Sequence, residues 1–67
     1  MTNEWHQDQE LARHTLTNTE WTRWWLREVR GISVARIADT LAVSESAVKE
    51  SLRSARRKLD KAKEEAA

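Results

Sequence analysis

The apolar residues in the second half of the chain recur at helical spacing. Val34 opens a group that falls at i, i+3, i+4 and i+7 and ends at Leu41, which is the spacing of one buried helix face. A later stripe alternates steps of four and three residues, which favours a longer helix with one apolar side; its members are Val48, Leu52, Ala55, Leu59, Ala62 and Ala66. Ser33 and Ser44 precede the two groups and are good N-cap residues. The pattern predicts two helices joined by a three-residue turn.

The first half of the chain contains one well-marked helix start. Thr17 and Glu20 have the spacing of a capping box, in which each side chain accepts a hydrogen bond from the other residue's backbone N–H. We predict a helix from about residue 18 to residue 30, and Gly31 can end it in the left-handed conformation. Its aromatic residues are core anchors, or one of an adjacent pair is exposed and marks a partner surface; they are Trp21, Trp24 and Trp25.

The domain is expected between two less regular ends. Residues 1–15 have a weak pattern, so a short docked helix and an N-terminal arm are both open. Residues 63–67 are predicted to be a frayed tail. Residues 16–62 form the predicted domain, an all-α bundle of three to four helices that contains a helix-turn-helix and ends in a long C-terminal recognition helix. Its central cluster is predicted to consist of Ile37, Ala38, Leu41, Val48 and Leu52.

The composition narrows the class of protein. The chain has 67 residues and no Cys, with 39% hydrophobic and 34% charged residues. The lack of Cys excludes disulfides and fits a reducing cytosol, and no apolar run approaches the roughly 18 residues of a membrane span. We therefore expect a cytoplasmic protein without a membrane segment or a signal peptide. His6 and His14 lack supporting ligands and no catalytic arrangement is visible, so we expect no enzyme, metal or cofactor.

The distribution of charge is more informative than the net charge of +1. Residues 31–63 carry eight basic against four acidic side chains, and seven of these eight bases lie between positions 49 and 63. A basic C-terminal segment is typical of a surface that binds a phosphate backbone. The charge pattern alone fits a solvated helix face equally well.

Four segments of the chain follow the pattern of a known family. They are G-I-S at residues 31–33, R-I-A-D-T-L at 36–41, V-S-E-S-A-V-K at 43–49 and L-R-S-A-R-R-K-L at 52–59. Together with Leu16 and Glu20 they resemble region 4 of bacterial sigma factors, especially the extracytoplasmic-function type. The chain is also similar to the DNA-binding domain of LuxR-type response regulators. The resemblance implies a helix-turn-helix that binds double-stranded DNA, in a bacterial or phage protein.

Three features depart from the family pattern. Ala42 stands where such turns usually have Gly, and Lys49 is followed by Glu50 and Ser51 in place of a second basic residue. Region 2 of a sigma factor has no counterpart in the chain. We therefore expect a stand-alone domain, such as a small phage or plasmid regulator.

The candidate DNA contacts lie on the outer face of the C-terminal helix and at the starts of the last two helices. In a helix-turn-helix the N-terminal half of the recognition helix faces the major groove, so we expect base contacts from Ser46, Lys49, Glu50 and Arg53. Helix N-termini and long cationic side chains reach backbone oxygens, and the expected phosphate contacts are Ser33, Arg36, Ser44, Arg56 and Arg57.

These patterns predict a sequence-specific double-stranded DNA-binding protein. We expect a small transcriptional regulator that binds as a homodimer, because one helix-turn-helix reads only about half of a typical site. Two alternatives stay open. One is a sigma-region-4-like module that binds RNA polymerase or a regulator, and the other is a phage DNA-packaging or recombination accessory protein.

The dimer interface is expected at the far end of the last helix. A chain this short has a marginal core, and the apolar stripe continues past the point where the preceding two helices can cover it. The expected interface residues are Leu59, Ala62, Ala66 and Trp5, and pairing through the last helix is also implied by the resemblance to the LuxR type. The competing arrangement is a monomer in which Trp5 or Leu11 folds back over Leu59.

Overall fold

The computed structural model describes residues 4–66, with side chains described for residues 9–65. All regular structure in this range is helical: α1 is Glu4–Thr15, α2 is Asn18–Trp24, α3 is Val34–Leu41 and α4 is Glu45–Ala66. A short π-helical segment, Trp25–Val29 (the π turn), continues α2. The predicted all-α fold is confirmed. None of the helices in residues 4–66 combines the length and the apolar composition that crossing a membrane requires.

The N-terminal segment is a helix that docks on α4. Ala12 is fully buried, and Leu16, which directly follows α1, is 9% exposed. Both pack in one cluster with Ala55 and Leu59 of α4. Of the two alternatives for the N-terminal segment, the docked helix is therefore the observed one. Its sequence pattern is weak because most of its described side chains are polar and few of them reach the core.

The start of α2 follows the capping-box prediction. The Thr17 N–H donates to Glu20 Oε1 at 3.1 Å, and the Glu20 N–H donates to Thr17 Oγ1 at 3.2 Å. These two bonds satisfy N–H groups that have no partner within the helix. The predicted capping box is confirmed.

The end of this helix differs from the prediction of an α-helix to residue 30. The α-helical part ends at Trp24, and the Arg30 N–H then donates to the Trp25 carbonyl at 3.1 Å, which is the i→i+5 bond of a π-helix. Gly31 closes the segment at φ +70°, in the left-handed region that only Gly adopts without strain. The wider turn allows Trp25 and Val29 to pack against the same cluster as α1.

The turn between α3 and α4 is a Schellman motif that lacks its usual glycine. Ala42 lies at φ 58° and ψ 45°. The Val43 N–H donates to the Ala38 carbonyl at 3.0 Å, and the Ala42 N–H donates to the Asp39 carbonyl at 3.3 Å. These are the two bonds that define the motif. The left-handed backbone costs Ala roughly 1 kcal/mol relative to Gly, so the turn forms in spite of the residue at its centre.

The helix starts on either side of this turn follow the prediction. The Arg36 N–H donates to Ser33 Oγ at 3.3 Å, and the Ala47 N–H donates to Ser44 Oγ at 3.0 Å. At its other end α4 continues as a helix to Ala66. The segment from residue 63, which we expected to be a frayed tail, is therefore helical up to that point.

Two apolar clusters hold the helices together. The first joins α1, α2 and α4 through Ala12, Leu16, Trp24, Ala55 and Leu59. The second joins α3 to α4 through Ile37, Ala38 and Val48, with Leu41 and Leu52 packed against them. The buried cluster predicted from the sequence is thereby confirmed for Ile37, Ala38 and Val48, whereas Leu41 and Leu52 are only partly buried. Leu52 packs against both clusters.

The three central tryptophans anchor the first cluster. Trp24 is 7% exposed, while Trp21 and Trp25 are half-buried against the cluster. The rings of Trp21 and Trp24 stack with their centroids 5.7 Å apart. The guanidinium groups of Arg13 and Arg30 lie 5.5 Å from the ring centroids of Trp21 and Trp25, respectively. The core interpretation is therefore the observed one, because Trp24 is buried and Trp25 is half-buried.

Leu59 is buried inside the chain rather than presented to a partner. It is 5% exposed and packs with Ala12 and Leu16, and Leu11 lies against the same cluster. Because α1 already covers it, Leu59 has almost no surface left for the dimer contact that we expected. The packing within the chain is that of the alternative in which Leu11 folds back over Leu59, and the oligomeric state stays a prediction. Ala62 is half-buried, and the expected contacts of Trp5 and Ala66 lie outside the described side chains.

Candidate nucleic-acid interface

The predicted base-contacting residues share the solvent side of α4. Successive residues of an α-helix are turned by about 100°, so burying Val48, Ala55 and Leu59 turns the opposite face outward. The four side chains predicted to contact bases are all exposed on α4; they are Ser46, Lys49, Glu50 and Arg53. Arg56 and Arg57 continue the exposed surface toward the C-terminal end of α4.

A shallow depression of about 560 Å³ lies where the π turn and the start of α3 meet α4. Its lining contains five cationic side chains, two apolar side chains and one carboxylate: Arg27, Lys49, Arg53, Arg56, Arg57, Val34, Leu52 and Asp60. Cations gathered around a concave surface produce a stronger local potential than the same charges spread over a helix. The depression is therefore the candidate interface.

Several cations elsewhere in the chain are engaged within the fold. Lys58 Nζ bonds Glu20 at 2.8 Å, and Arg23 Nη1 donates to Ser51 Oγ at 2.6 Å. In the depression, Arg56 Nη2 lies 3.8 Å from Glu28 Oε2. Within the described part of the chain, no ion pair engages the other four cations of the depression. Their charge is therefore available to an anionic partner.

The depression brings together only some of the residues predicted from the sequence. Lys49 and Arg53 line it beside Arg56 and Arg57, whereas the other predicted contacts lie outside its lining. Glu50 borders a neighbouring depression of about 360 Å³, which also contains Arg53 and Arg57. An exposed carboxylate beside two guanidinium groups can accept from a base N–H while the arginines donate.

The serine residues predicted to bind phosphate lie at the helix starts. Ser33 and Ser44 are exposed, and each hydroxyl oxygen accepts a backbone N–H in its own cap. Since a hydroxyl also has a proton to donate, capping leaves both serines able to bond a phosphate oxygen. Arg36 is exposed on the first turn of α3.

Arg27 is a member of the interface that sequence reasoning missed. It lies on the π turn, before the helix-turn-helix segment, and lines the depression with the cations of α4. The pattern of a regular helix to residue 30 gives no sign of the π turn. The sequence signal for Arg27 was only a basic residue placed between the apolar residues Leu26 and Val29. In the structure these two residues pack against different clusters.

Glu20 lines the neighbouring depression with Arg53 and Arg57 and connects the start of α2 to α4. Its Oε2 accepts from Ser54 Oγ at 2.7 Å, and its Oε1 accepts from Lys58 Nζ at 2.8 Å. Burial alone raises the pKa of this carboxyl. The hydrogen bonds from Lys58, Ser54 and the Thr17 N–H, together with the Lys58 charge, outweigh burial and lower the pKa to about 2. Glu20 is therefore ionised at neutral pH and fixes the helix that carries the interface.

The described residues contain no group of three or more His, Asp or Glu side chains that could hold a metal ion. Comparisons with protein-family models, with curated proteins and with solved structures find no match to this chain. The candidate function is therefore argued from the geometry and chemistry of the interface.

Proposed function

We propose that this chain is a double-stranded DNA-binding protein in which α3, the turn and α4 act as a helix-turn-helix. The observation that carries the proposal is the depression beside α4, where five cations converge and four of them have no ion pair within the described part of the chain. DNA presents closely spaced phosphates, and neutralising them releases counterions. A basic concave surface next to an exposed helix fits that partner.

The exposed N-terminal half of α4 is the segment that enters the major groove. The groove is about 12 Å wide and admits an α-helix. Lys49 and Arg53 donate to acceptor atoms on guanine, and Glu50 accepts from the amino group of cytosine. Arg56 and Arg57, further along α4, contact phosphates. We further propose regulation of transcription as the role of this binding.

Leu59 is 5% exposed and packs with α1 within one chain, so we propose that it does not carry the contact between two copies on a two-fold DNA site. A homodimer therefore has to use another surface, and a single copy reads about half of a typical site. We accordingly expect modest affinity for a single half-site and a strong dependence on salt.

The proposal is tested by fluorescence anisotropy with labelled duplexes over a series of salt concentrations. Replacing Arg56 and Arg57 by Ala is expected to weaken binding to every duplex. It should also reduce the salt slope by about one unit for each lost phosphate contact. Arg53→Ala is expected to reduce the preference for sequences selected from a random pool. Lys61→Ala removes an exposed cation of α4 that lies outside the depression, and this matched control should bind nearly as the parent does.

Two results would contradict the proposal. One is a folded parent protein that shows no salt-dependent binding to any duplex, which would favour the protein-interaction alternative. The other is a variant lacking Arg53, Arg56 and Arg57 that binds as the parent does, because the recognition helix would then have been misplaced.

A further inference from the structure

The π turn presents two consecutive charged side chains to α4. Arg27 lines the basic depression, and the Glu28 carboxylate lies 3.8 Å from the guanidinium of Arg56. The turn thus contributes the cation Arg27 to the depression, and its Glu28 carboxylate pairs with Arg56, which also lines the depression. Neither residue belongs to the helix-turn-helix segment.

The backbone of the π turn is held on both sides. Leu26, directly before Arg27, packs against the α3–α4 cluster, whereas Trp25 and Val29 pack against the cluster that contains α1. The Ile32 N–H also donates to the Leu26 carbonyl at 3.0 Å. The backbone at Arg27 is therefore held by packing on both sides, so only the side chain has to be ordered when an anion binds.

Arg27 is exposed and, within the described part of the chain, has no ion pair. A guanidinium group can bind a phosphate with two parallel hydrogen bonds. Lys49 and Arg53 border the same depression as Arg27. A DNA strand that contacts these two side chains of α4 therefore also passes close to Arg27. The partner chemistry is a phosphodiester rather than a base edge, because Arg27 does not lie on the helix that enters the groove.

The Glu28–Arg56 pair is weak and open to solvent. The side chains are 42% and 71% exposed, respectively, and the closest N–O distance is 3.8 Å. Exposed pairs of this kind contribute little to stability, whereas a bidentate arginine–phosphate contact is stronger. A phosphate can therefore displace Glu28 from Arg56.

Resting on the proposed DNA-binding function, we propose that the π turn is a second phosphate-binding element of the interface. Arg27 contacts the DNA backbone from outside the helix-turn-helix. Glu28 weakens binding by competing with phosphate for Arg56. The two neighbouring residues thus set the affinity for duplex DNA in opposite directions.

Anisotropy titrations of one duplex at several salt concentrations test both parts. Arg27→Ala should lose about five- to tenfold in affinity at low salt and reduce the salt slope by about one unit, equally on all sequences. Glu28→Gln should raise affinity about two- to fivefold. In an Arg56→Ala background the gain from Glu28→Gln should largely vanish, because the carboxylate then has no competed cation. Lys61→Ala serves again as the control for loss of one distant cation.

The outcomes separate this inference from the function on which it rests. A parent that binds duplex DNA while Arg27→Ala behaves like Lys61→Ala overturns the Arg27 contact and leaves the proposed function intact. A gain from Glu28→Gln that persists undiminished without Arg56 overturns the competition. A parent that binds no duplex overturns both the inference and the proposed function. Circular dichroism checks that each exposed substitution leaves the helical content unchanged.

Discussion

Glu20 makes the stability of the fold depend on pH in the acidic range. Hydrogen bonds from Lys58, Ser54 and Thr17 offset the effect of burial and lower the pKa of its carboxyl from 4.5 to about 2. In the unfolded chain the group returns to its ordinary value. A pKa that is lower in the folded state means that the stabilisation is fully present above pH 4.5. It is lost as the pH falls through that value toward 2.

The size of the effect follows from the same shift. The full difference corresponds to about 3 kcal/mol in the free energy of unfolding. The Lys58 side chain is 42% exposed, so solvent screens part of its attraction, and we expect about 1–2 kcal/mol. Glu20→Gln keeps the shape of the side chain and removes its charge. It should therefore lower the free energy of unfolding by this amount at neutral pH.

Urea unfolding followed by far-ultraviolet circular dichroism measures this difference. The free energies of unfolding of the parent and of Glu20→Gln should differ most at about pH 7, and the difference should shrink to less than half by about pH 3. Glu10→Gln changes an exposed carboxylate of α1 and should track the parent at both pH values. A Glu20→Gln difference that is independent of pH, or that is absent at pH 7, would refute the reasoning.

Three further substitutions test the packing. Ala38→Leu adds volume to a site that is 5% exposed and should lower the free energy of unfolding by about 1–3 kcal/mol through overpacking; an unchanged urea midpoint would contradict the close crossing of α3 and α4. Ala42→Gly removes the left-handed strain at φ 58° and should raise the free energy of unfolding by about 1 kcal/mol in the same assay. Leu59→Glu places a charge in the first cluster and should cost about 3 kcal/mol or more. Circular dichroism measures whether the variant folds, and sedimentation equilibrium measures its oligomeric state. If the parent is a dimer and Leu59→Glu is a folded monomer, Leu59 belongs to a dimer interface after all.

The helix starts could be predicted because their chemistry is local. Thr17, Ser33 and Ser44 each accept a backbone N–H three residues away, so the signal lies within four consecutive residues. The α3–α4 cluster could be predicted for a related reason. Its apolar positions keep helical spacing on both sides of a short turn, so the two helices can bury their apolar faces against each other in only a few ways.

The π turn could not be predicted, and the docking of α1 was only one of two alternatives, because both depend on contacts between distant segments. Trp25 and Val29, at the two ends of the π turn, pack against the first cluster, which is built from α1, α2 and α4. Ala12 and Leu16 cover Leu59. Most residues near Ala12 are polar, so the sequence does not show that Ala12 belongs to a buried helix face. The exposure of the DNA-contact candidates on α4 followed from helical spacing, whereas Arg27 was missed together with the π turn.

Leu52 contacts both halves of the molecule. Its side chain packs against both clusters, so the half that contains α1 and the half that contains α3 cannot open independently without losing its contacts. We therefore expect the amides of both halves to exchange with solvent deuterium in one cooperative step. Leu52→Ala should separate them into two groups with different opening free energies. Rigidity gained by α3 and α4 in binding a partner would then reach α1 partly through this side chain, beside the direct packing of α1 on α4.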